Sequence, residues 1–132
     1  MSTALFIIAE RDVPGLNPYV NGKPLAHEPN LDRVAKAAGV RPLMEFFSVD
    51  PEEAAAMMED LGQDPPAEGF PAEAWFEAAE GLATVRGLSR QVGADPSAVR
   101  DPEAVLEDLR GFEEVLSGLQ AAGVRWHLSV DF

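Results

Sequence analysis

The stretch that decides the fold is 124-VRWHLSVDF-132, because it alternates without a break. Val124, Trp126, Leu128, Val130 and Phe132 fall on one side, and Arg125, His127, Ser129 and Asp131 on the other. A period of two is the signature of a strand with one buried face and one polar face. The nine residues immediately follow Gly123, and Gly123 follows a helical pattern. Val105, Leu109, Phe112, Leu116 and Leu119 are spaced 4, 3, 4 and 3, an amphipathic stripe begun by Asp101-Pro102-Glu103 and stopped by Gly123. Two and a half heptads are too few for a coiled coil, so the stripe is read as core-facing. A helix that turns through one glycine into a half-buried strand must pack against it.

Working outward, Ala4–Glu10 (ALFIIAE) is a short apolar run that reads as a buried strand partnering the C-terminal one. Residues 11–30 carry Pro14, Gly15, Pro18, Asn21-Gly22, Pro24 and Pro29 and read as one long loop. Asn30 starts a helix that Gly39 stops. Leu43–Val49 (LMEFFSV) reads as a further strand. Asp50-Pro51-Glu52-Glu53 is the clearest helix start, with Asp50 as cap, Pro51 at the first position and Glu53 closing a capping box. Its expected apolar face is Ala54, Met57, Met58 and Leu61. Another helix runs from about Ala78 to Val92. The expectation is one α+β domain over residues 1–132: a small sheet holding the N- and C-terminal strands, about four helices packed mainly on one face, and the polar face of the last strand open to water or a partner.

The charge is uneven. The chain of 132 residues has 10 Lys and Arg against 23 Asp and Glu, a net charge of −13, and no cysteine. Residues 42–85 hold eleven of the acids and no Lys or Arg, whereas the remainder is close to neutral. Such a balance argues against binding nucleic acid or an anionic membrane. The absence of cysteine removes disulfides, thiolate metal sites and cysteine nucleophiles. No signal peptide is visible and no apolar run is long enough to span a bilayer, so a cytoplasmic location is expected.

Searches for G-x-G-x-x-G, Walker A, G-x-S-x-G, H-E-x-x-H and EF-hand patterns find none. No metal site and no cofactor is expected, although acidic residues in 42–85 leave divalent-cation binding as a third reading. The first reading is a non-enzymatic interaction or regulatory module. Its acidic segment, represented by Glu59, Asp60, Asp64, Glu68 and Glu73 with the aromatic pair Trp75 and Phe76, meets a basic partner protein. The second is a small enzyme or ligand-binding domain with a pocket between the 11–30 loop and the C-terminal strand. Tyr19, His27, Arg125, His127 and Asp131 are its candidate residues, since a His beside a carboxylate can act as a general base.

The segments YVNGKPLAHE (19–28), RPLMEFFS (41–48) and WFEAAEGLATVRGL (75–88) resemble stretches of small uncharacterised bacterial cytoplasmic proteins. The ending, a long helix turning through Gly123 into a closing strand, is similar in layout to the YfbM-like uncharacterised family. That likeness is architectural, covers about the last 30 residues and the first strand, and implies no catalytic residue.

Overall fold

The computed structural model describes residues 3–64, 66–67 and 69–131. The chain is α+β. Strand β1 (Ala4–Ala9) pairs antiparallel with β2 (Trp126–Asp131), with Ala4 opposite Asp131 and Ala9 opposite Trp126. Between them come α1 (Lys23–Ala26), α2 (Leu31–Ala38), a 3-10 turn at Leu43–Phe46, α3 (Pro51–Asp60), α4 (Ala78–Ala94), a 3-10 turn at Pro96–Ala98 and α5 (Pro102–Ala122).

Local chemistry accounts for the helix ends. Asp50 accepts the amide of Glu52 at 2.9 Å, and Asp101 accepts that of Ala104 at 3.2 Å. Each acid therefore satisfies a backbone donor that the first helical turn leaves without a partner. Gly123 closes α5 in the left-handed region, and the Val124 amide returns to the Leu119 carbonyl at 2.9 Å. That closure aims the chain straight into β2.

The core lies between the helices and one face of the two strands. Leu82, Val85, Leu88 and Val92 of α4 meet Leu109, Phe112, Leu116 and Leu119 of α5, and all eight are buried. Trp126 and Leu128 of β2, with Leu5 and Ile7 of β1, close the other side. Trp126 is wholly inaccessible, and its indole N–H donates to the Glu77 carbonyl at 3.3 Å. Truncating an aromatic so placed costs about 3–5 kcal/mol.

Two sequence expectations change. Leu43–Val49 is not a strand: Leu43 and Phe46 bury themselves three residues apart in a 3-10 turn after Pro42. Only Phe47 bridges to β2, opposite Leu128. The 11–30 segment is not wholly a loop either, since α1 forms at its end. Phe132, counted above on the apolar face of the last strand, lies outside the described residues. Among the described residues no helix is long and apolar enough to cross a membrane.

Candidate functional site

The second face of the sheet is where structure and sequence part. His127 was expected on an open polar face, yet it is 2% exposed. The strand alternates as the pattern requires. A covering segment, residues 73–76, then lies over the face that alternation had assigned to solvent. Phe76 bridges to Trp126 through two backbone hydrogen bonds of 2.8 and 3.0 Å. The Ser48 hydroxyl accepts the Ala74 amide at 2.7 Å, and the Ser48 amide donates to the Leu128 carbonyl at 3.1 Å. Residues 47–48 and 74–76 thus cap the edge of β2 that β1 does not occupy.

This cap brings Glu73 and Trp75 onto His127. The His127 Nε2 lies 2.6 Å from a Glu73 carboxylate oxygen, and Nδ1 lies 3.1 Å from the Leu128 carbonyl. Both ring nitrogens therefore face oxygen atoms, and the imidazole is held at both ends. The Trp75 ring leans over the imidazole with centroids 4.8 Å apart. Phe76 joins Phe46 edge-on at 5.2 Å, Phe46 stacks on Trp126 at 5.1 Å, and the Arg41 guanidinium caps Phe46 at 4.5 Å. Glu73, Trp75 and Phe76 were expected to face a partner, and His127 to face a pocket. They instead hold the 73–76 segment to β2.

The remaining pocket candidates separate. Arg125 donates to both oxygens of Glu10, and this hydrogen bond raises the guanidinium further above its ordinary range. His27 borders a cleft with Lys23, Glu28 and Arg100 beside the start of α5. Tyr19 and Asp131 do come together. They line a groove of about 480 Å³ between β1 and residues 17–23.

The interaction candidates also divide. Glu59, Asp60 and Asp64 are exposed, whereas Glu68 lies outside the described residues. The α3 helix buries only Ala54, with Met58 half-buried on the same side. Met57 is 47% exposed and Leu61 71% exposed. The expected apolar face of α3 is therefore split. Ala54 and Met58 turn inward, while Glu53, Met57, Asp60 and Leu61, spaced by three and four, form an outer stripe.

Two buried acids organise the region around the 11–30 segment, and the sequence reading passed over both. Asp108 is 4% exposed and accepts the amides of Gly22 at 2.8 Å and Leu25 at 3.3 Å. Burial pushes its carboxyl above the ordinary value of 3.8, partly offset by those two amides. Glu28 accepts the Arg100 amide at 2.7 Å and the backbone and side chain of Asn30 at 2.9 and 3.0 Å. The signal for Asp108 was present: it sits between Val105 and Phe112 at helical spacing, an acid within the apolar stripe. Among the described residues no group of three or more His, Asp or Glu side chains is placed to hold a metal ion. No protein-family model, curated protein or solved structure matches the chain.

Proposed function

We propose that the protein is an interaction module whose α3 surface receives a basic, amphipathic segment of a partner protein. The observation that carries this reading is the outer stripe of α3. A ten-residue helix that buries one residue contributes little to the core, yet it displays Met57 and Leu61 to solvent. Glu52, Glu53, Glu59 and Asp60 surround them, all exposed, and residues 42–85 contain no basic side chain. Exposed apolar side chains ringed by one sign of charge fit a partner with apolar anchors and the opposite sign. The acids steer the encounter, and the two apolar side chains supply contact area.

The test is a fluorescent 20-residue amphipathic peptide of Lys and Leu at helical spacing, titrated with the protein at rising salt. Affinity is expected to fall as salt rises. It is also expected to drop at least tenfold in the Glu53→Lys, Asp60→Lys double variant. Binding indifferent to both changes would remove this role from α3.

A further inference from the structure

The two-stranded sheet leaves one edge open, and the groove beside it is built around that edge. Trp126 and Leu128 direct their backbone groups away from β1, to Phe76 and Ser48. Ala4, Phe6 and Ile8 therefore hold β2, and Leu5, Ile7 and Ala9 point their amides and carbonyls outward. The Leu5 amide donates to the Gly22 carbonyl at 3.0 Å. The Ile7 amide and carbonyl have no hydrogen-bond partner among the described residues.

Beyond that one bond from Gly22, residues 16–21 run back along this edge without pairing with it, and the sequence explains why. Pro18, which lines the groove with Ile7 and a second cleft with Ala9, has no N–H to donate. The next amide, that of Tyr19, is bonded to the Asn17 side chain at 3.1 Å. Two consecutive donors are thus withheld from β1. The segment forms the far wall of a groove and not a third strand.

We propose that this groove takes an extended peptide of a partner protein, which adds to β1 as a third strand through the Ile7 amide and carbonyl. Unpaired edge groups are a template for a backbone rather than for a particular side chain. The groove's volume lies in the range of sites that hold ligands, about 300–1,000 Å³. Phe6, Val20 and the 76% exposed Tyr19 offer an apolar residue of the peptide a place to rest. Lys23 and Asp131 balance each other locally, so the preference for a basic strand comes from the net charge of −13. This site lies on the sheet edge opposite the one capped by Phe47 and Phe76, and it does not depend on the role of α3.

The probe is a capped heptapeptide of alternating Val and Thr with Lys at each end, followed by amide hydrogen exchange and chemical shifts of the intact protein. The Ile7 amide should exchange at least about tenfold more slowly with peptide bound. A peptide N-methylated at its central residues, with the same side chains, should not protect it. Tyr19→Ala, at an exposed position, should weaken binding about tenfold. Equal binding of the N-methylated peptide, an unchanged affinity in Tyr19→Ala, or no saturable change up to about 1 mM peptide would each overturn the proposal. So would protection of Ile7 that rises with protein concentration alone and tracks a dimer in the ultracentrifuge, since the occupant would then be a second copy of the chain.

Discussion

The carboxylate of Glu73 meets Nε2 of His127 at 2.6 Å, joining the acidic middle of the chain to its last strand across 54 residues. His127 is sealed from water, and Glu73 is 27% exposed at its side chain. Removing the carboxylate leaves a buried ring nitrogen without its partner, at a cost of about 1–3 kcal/mol. Glu73→Ala should therefore lower the unfolding free energy measured in urea by that amount. Glu73→Gln should lower it by less than half as much, because the amide can donate to Nε2. Equal losses in the two variants would mean that the pair contributes only packing.

Asp108 gives the chain a pH dependence that can be isolated. Its folded-state value is raised by burial above 3.8. A raised value means that the folded state binds the proton more tightly than the unfolded chain. Stability from this group is therefore complete below 3.8 and is lost as pH rises through the folded-state value. The chain holds 22 other Asp and Glu residues, so the measurement is a difference. The stability of the wild type minus that of Asp108→Asn should fall as pH rises above 3.8. A difference that rises with pH would reverse the assignment.

The helix α3 should tolerate changes that the core does not. Met57→Ser and Leu61→Ser alter exposed side chains and should shift unfolding by no more than about 0.5 kcal/mol. Leu109→Ala, at a fully buried position of α5, should cost about 2–5 kcal/mol. If Met57→Ser were as costly as the α5 substitution, the outer stripe would be part of the core and not a surface.

Two glycines with the same φ separate conformation from space. Gly22 and Gly39 both have φ of +72°. A Cβ at Gly39 meets nothing, whereas one at Gly22 would run into the backbone of Leu5. Gly39→Ala should cost about 1–2 kcal/mol, the strain of a left-handed residue alone. Gly22→Ala should cost more than that, because its turn also accepts Leu5 and donates to Asp108. Equal costs, measured by thermal unfolding, would show that the turn can move away from β1.

What was legible in the sequence was local. Asp50 and Asp101 cap helices and Gly39 and Gly123 end them, because those functions use groups a few residues apart. The alternation of 126–131 specified a strand, and the 4, 3, 4, 3 spacing specified the buried side of α5. The site was less legible. Tyr19 and Asp131 line one groove, whereas Arg125, His27 and His127 lie elsewhere. The acids of 42–85 read alike in sequence, yet Glu73 is partnered inside while Glu59 and Asp60 face water.

The sequence by itself determined the elements, their ends and the uneven charge, since propensity, capping and periodicity act within a turn or two of chain. Only the tertiary structure decided what covers each face. Alternation placed His127 opposite Trp126, but it carried no information about a segment 50 residues away. The Phe76 bridge and the Ser48 hydroxyl lay that segment over the strand, and a face written as polar became the setting of a buried pair. At the other edge, Gly22 bonds only Leu5; Pro18 and the Asn17–Tyr19 turn kept the rest of the neighbouring segment from pairing, and β1 stayed unpaired at Ile7. Backbone hydrogen bonding between distant segments settled both outcomes, because each free strand edge must find a partner or face water.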